Sequence, residues 1–174
     1  MKRSLAGWQV AGFLFVSVTG TLLHFLYEWS GENRIAGLFS AVNESIWEHM
    51  KLIYFPMFLF ALIQRKFVDD SRYWCIKLAG TMTALLLIPV LYYTYTGALG
   101  ISADWFNITI FFLTAGAAYF LETKGFRSSL SCGIPSGIAI VSFLLVGLLF
   151  AVFTFYPLQI PLFADPRTGM YGIQ

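Results

Sequence analysis

Charge is what this sequence has least of. Only 11% of its 174 residues are Asp, Glu, Lys or Arg, against about 25% in soluble globular domains. A soluble fold of this size must still cover most of its surface with polar groups, so a water-facing globule is excluded. Cysteine is nearly absent, at two residues, which excludes a disulfide-stapled scaffold. With 15 Gly and 6 Pro and no periodic or low-complexity block, collagen-like and disordered readings fail as well. No phosphate-cradling glycine loop, Gly-x-Ser-x-Gly or basic aromatic surface is present, so nucleotide-driven work, serine hydrolysis and nucleic-acid binding have no machinery in the sequence.

What the chain does have is apolar length. Apolar residues make up 58% and aromatics 18%, eighteen of them Phe. Five stretches, at about 5–27, 46–63, 74–95, 105–121 and 134–156, approach or exceed the roughly 20 residues that cross a hydrocarbon core. Backbone groups in hydrocarbon must pair internally, and these runs are too long and continuous for barrel strands. The expected fold class is therefore all-α: one integral membrane domain, 1–174, of five transmembrane helices with an ordered tail at 157–174. Lys2 and Arg3 ahead of an apolar run imitate a signal peptide, but 23 residues without an Ala-x-Ala-like exit suit a retained anchor.

The few charges are sorted by side. Alternate connections carry eight of the eleven Lys and Arg, namely Lys2, Arg3, Arg65, Lys66, Arg72, Lys77, Lys124 and Arg127, with Asp69, Asp70 and Glu122, for a net +5. The other connections and the tail hold Arg34, Lys51 and Arg167 against Glu28, Glu32, Glu44, Glu48, Asp104 and Asp165, for a net −3. The positive-inside rule then expects the N-terminus inside, the C-terminus outside and a multi-pass protein of the cell membrane with an acidic outer face. Trp8 and Trp74 fall at expected inner ends, and Trp29, Trp47 and Trp105 at outer ends. Cys75 and Cys132 fall on the inner side, away from an oxidising compartment, and are expected as unpaired thiols.

The unusual polar residues gather between the first two spans. His24 and Glu28 are four apart, as are Glu44 and Glu48, with His49 next to the latter. On two antiparallel neighbouring helices, these five could converge near the outer membrane surface. Neutral imidazole and carboxylate are donors for zinc or iron, so His24, Glu28 and His49 are candidate ligands, with Glu44 and Glu48 as candidate catalytic carboxylates. The spacing matches neither Glu-x-x-His nor His-Glu-x-x-His. Ordinary roles also compete: Asn43 as a helix cap, Glu44 as a dipole partner, and His24 as a hydrogen-bonded core imidazole.

Pro56 and Pro89 each remove a helical hydrogen bond and would splay the outer ends of their helices. Tyr93 and Tyr95 are interface anchors or, facing inward, binding groups, and Asn43 is a further binding candidate. In the tail, Phe163, Met170 and Tyr171 should pack back on the bundle. Asp165-Pro-Arg-Thr-Gly has turn chemistry, which would bring Asp165 and Arg167 over the mouth of the site.

His24-x-x-Tyr27-Glu28-Trp29-Ser30-Gly31, Asn43-Glu44-Ser45-x-Trp47-Glu48-His49 and the Tyr93-to-Gly97 stretch resemble those of a family of small bacterial membrane proteins, domain of unknown function 6512. The resemblance covers nearly the whole chain. It implies a polytopic membrane protein and brings no activity.

On the residues alone, the first functional reading is a metal-dependent membrane enzyme acting on a lipid-like or amphipathic molecule. The second is a small transport or ligand-binding subunit that uses the same residues for a cation or protons. A structural or partner-binding protein working through the acidic face is the third. The bilayer is the expected partner in all three.

Overall fold

A computed structural model describes residues 2–129 and 131–173, with the side chains of 2–4 outside that description. The chain is 71% helix, and the described residues include no strand. Five long helices, α1 (Lys2–Trp29), α3 (Ile46–Gln64), α4 (Tyr73–Leu99), α5 (Asp104–Arg127) and α6 (Ser136–Phe155), are joined by loops and by one short turn of helix, α2 (Arg34–Gly37). All five long helices are apolar and long enough to cross a membrane.

Local chemistry sets several boundaries. The Asn33 side chain accepts from the backbone N–H groups of Ile35 and Ala36 and opens α2; Ser45 accepts from Glu48 N–H and opens α3. Both satisfy donors that the first helical turn leaves unpaired. Gly100, at φ 69°, ends α4 in the left-handed conformation that glycine adopts without strain. Helices α3 and α4 continue through Pro56 and Pro89. Helix α4 extends beyond the expected 95, and α5 extends beyond the expected 121. Glu122, expected in a connection, therefore lies within a helix.

Helix α3 is the centre of the bundle, packing against α1, α4 and α6, while α5 packs against α4 and α1. Ile53, Tyr54 and Met57 of α3 meet Phe143 and Phe150 of α6 in a continuous apolar core. Two glycines let α1 approach. A Cβ on Gly12 would meet the Tyr119 and Phe60 rings, and one on Gly20 would lie 2.5 Å from the Leu52 carbonyl oxygen. The outward faces of α1 and α6, including Val10, Leu14, Val18, Leu144 and Leu148, are exposed apolar surface. Such a belt is what a bilayer would cover. Trp29 and Trp105 are exposed, as interface anchors would be, whereas Trp8, Trp47 and Trp74 pack against the core.

The expectation of unpaired thiols is overturned. Cys75, in the first turn of α4, and Cys132, in the α5–α6 connection, form a disulfide with their Cα atoms 6.2 Å apart. They are 57 residues apart, and only the antiparallel return of α5 along α4 brings them together. Compartment logic alone carried no information about that proximity. Hydrogen bonds from Arg72 Nη1 to Ser128 O and from Ser136 Oγ to Ser71 O tie the α3–α4 connection to the α5–α6 connection and the start of α6.

The tail folds back over the opposite end. Leu162 O accepts from Trp47 N–H, Thr154 O accepts from Ile173 N–H, and Ala164 bridges Tyr171. Phe163 is buried against Trp47 and Phe153. Met170, expected to pack, is instead exposed at the turn.

Candidate functional site

The site forms where α1 ends and α3 begins. Helix α3 starts at Ile46, so Glu44 precedes it and shares no helical face with Glu48. Ser45 is extended as the helix cap, at ψ 153°, and this places Glu44 beside His49, one turn into the helix. The Glu44 carboxylate then sits between two imidazoles. Its Oε1 is 3.9 Å from His24 Nε2 and its Oε2 is 3.6 Å from His49 Nε2. The two rings meet edge to face at 5.2 Å. One donor atom from each of the three residues lies within 4.8 Å of the others.

The tautomer of His49 follows from its neighbour. Its Nδ1 lies 2.9 Å from Ser45 O, and a carbonyl oxygen can only accept, so Nδ1 carries the proton. In the neutral ring, Nε2 is left with its lone pair toward Glu44. A distance of 3.6 Å or more is too long for a hydrogen bond. It is close to the spacing of roughly 3.3–3.6 Å between donors that share a tetrahedral ion with arms of about 2.0–2.2 Å. A small inward movement of the side chains would complete such a set.

Two adjoining cavities, about 250 and 600 Å³, open on this cluster. Glu44, His49, Asp104, Asn107, Phe111 and Arg167 line both. Arg167 arrives from the tail because the Asp165 carboxylate caps the Pro166 turn, accepting from the N–H groups of Arg167 and Thr168. Its guanidinium donates to Asp104 at 3.1 Å. Glu44 first, and then Asp104, hold its pKa above the ordinary arginine value. The tail thus brings Arg167 to the edge of both cavities.

The other expected residues have different places. Glu28 lines the larger cavity and stands outside the three-residue cluster. Glu48 is turned into the bundle, 2.5 Å from Lys51 Nζ, and accepts from Val42 N–H and Thr154 Oγ1. With Lys51 also donating to Gly37 O, this pair ties α2, α3 and α6 together. Asn43 lines the larger cavity, but its side chain fixes the tail by donating to Gly172 O. The Tyr95 hydroxyl bonds Asn107 Oδ1 and orders the α4–α5 turn. Tyr93 is exposed, and Tyr92 lines the smaller cavity.

Asp104 and Asn107 were not picked out as site residues from the sequence. Their spacing of three on one face of α5 was the available signal. A second buried pair, Lys77 with Glu122, has no signal in the sequence, where Lys77 counts among the inner-side charges at the start of the third span and Glu122 falls just past the fourth.

The chain belongs to a family of unknown function, DUF6512, whose model matches residues 1–173. No curated protein and no solved structure matches it.

Proposed function

We propose that this multi-pass membrane protein holds a divalent transition metal, of the zinc or iron class, on His24, Glu44 and His49, and acts there on a lipid-like or amphipathic molecule. One observation carries the reading: a carboxylate lies between two imidazole Nε2 atoms contributed by two different segments, and the outer nitrogen of His49 is fixed by a backbone carbonyl. Orientation of a ligating imidazole by such a bond is characteristic of metal sites. Three protein donors leave a position open toward the cavities, the arrangement of catalytic rather than structural sites. A metal there would polarise a bound ester or phosphate oxygen. Arg167 and Asn107 line the same space as donors that could orient an oxyanion. The charge asymmetry favours this end outside and the N-terminus inside, whereas the Cys75–Cys132 disulfide at the opposite end favours the reverse orientation.

Elemental analysis of detergent-purified protein tests the reading, comparing the parent with Glu44→Gln and His49→Ala after reconstitution with zinc, iron and manganese. Near-stoichiometric metal in the parent, lost in both variants while elution behaviour is retained, is expected. Absence of metal from the reconstituted parent would overturn it.

A second reading has its own observation. Glu28, Glu44 and Asp104 face only Arg167 among the charged residues lining the larger cavity, an acidic excess suited to passing or holding a cation. Cation flux into proteoliposomes that is abolished by Glu44→Gln would favour this transport or binding role.

A further inference from the structure

We infer that the larger cavity is a lateral slot, and that a bilayer phospholipid with a zwitterionic headgroup slides into it between α1 and α5, chain first from the membrane side. The inference rests on the functional reading above and names its substrate class. Helices α1 and α5 are in contact near Gly20, where a Cβ would lie 2.6 Å from the Phe111 ring. Outward from that point the cavity opens between them. Its side wall contains Phe25 of α1 and Ile108 and Phe112 of α5, which are themselves 42%, 59% and 39% exposed, so the wall does not close the space off from the surroundings of the bundle. A space whose wall is lipid-facing surface is continuous with the hydrocarbon that covers that surface.

The slot is also the right shape for an amphiphile. From Asp104 to Phe112 it descends α5 by roughly 12 Å at 1.5 Å per residue, polar at the top and apolar below. At the top, Arg167 uses one nitrogen of its fork on Asp104, leaving further donors for a phosphate. Glu28 and Asp104 supply the opposite charge for an amine. Both signs at one end complement a headgroup that itself carries both, and the chain then extends down the aromatic wall away from the Glu44 carboxylate.

The test uses the full-length protein in nanodiscs of zwitterionic phosphatidylcholine carrying a small fraction of phosphatidylethanolamine with a diazirine on its acyl chain. After irradiation, adducts are mapped by peptide mass spectrometry, and metal content is measured on the same sample. Labelling of the Phe25, Ile108 and Phe112 segments several-fold above the exposed Leu144 and Leu148 face of α6 is expected. Ile108→Trp should fill the slot and bring the excess down to the α6 level without changing metal content. Equal labelling of both faces in the parent overturns the slot. Enrichment seen only with a water-soluble short-chain diazirine amphiphile overturns the bilayer as the source. Uniform labelling with metal present refutes the slot alone; enriched labelling without metal refutes the metal centre alone.

Discussion

The Lys77 ammonium and the Glu122 carboxylate lie 2.7 Å apart, with neither side chain exposed. A buried ion pair is costly to half-remove, because the surviving charge has no water to turn to. The pair also sets the local packing: Gly80 passes so close that a Cβ would lie 2.5 Å from Glu122 Cγ. Lys77→Met or Glu122→Gln alone should destabilise the protein by about 3–5 kcal/mol. The double variant Lys77→Met with Glu122→Leu should recover most of that loss. Thermal unfolding in one detergent, followed by circular dichroism, reads all three against the parent. Single variants that melt with the parent would refute this account of the pair.

Gly20→Ala should weaken the contact of α1 with α3, because the new methyl group meets the Leu52 backbone carbonyl at 2.5 Å and backbone yields less readily than a side chain. A cost of about 1–3 kcal/mol is expected for such overpacking. Gly7→Ala, where a Cβ meets nothing within 4 Å, is the control and should leave the melting temperature unchanged or raise it slightly, because Ala is the better helix former.

Reduction of the Cys75–Cys132 disulfide should lower the melting temperature. A bridge closing a 57-residue separation restricts the unfolded chain by about 4 kcal/mol in the loop-entropy picture. Non-reducing peptide mapping should recover the two cysteines in one cross-linked peptide pair. Cys75→Ser with Cys132→Ser should reproduce the loss caused by reductant and be insensitive to further reductant.

At the same end of the bundle, Arg72 donates to both carboxylate oxygens of Asp70. These charge-assisted bonds hold the Asp70 carboxyl below its ordinary pKa. A depressed folded-state pKa contributes stability above the unfolded-state value, and that contribution is lost as pH falls through the folded-state pKa. Asp70→Asn should therefore reduce stability at neutral pH and narrow its difference from the parent as pH falls through the carboxylate range. Unfolding midpoints measured from pH 7 down to 3 would show the convergence; a constant difference would refute it.

Composition alone determined the class of this protein. A chain with so little charge and five long apolar runs can satisfy its backbone in lipid only as helices, so the span count and all-helical class follow directly from the residues. The concentration of His and Glu between the first two spans was equally visible, as was the ability of the tail to form a turn that returns Arg167. Which carboxylate joins the imidazoles was not visible. Helical periodicity pairs Glu44 with Glu48, but capping by Ser45 leaves Glu44 outside the helix and delivers it to His24 and His49. Burial meanwhile gives Glu48 to Lys51, three residues further along. The same limit hid the disulfide and the Lys77–Glu122 pair, whose members are distant in sequence. Periodicity describes one helix at a time, whereas contacts between helices depend on their relative depth and rotation, and these are set only when all five pack together.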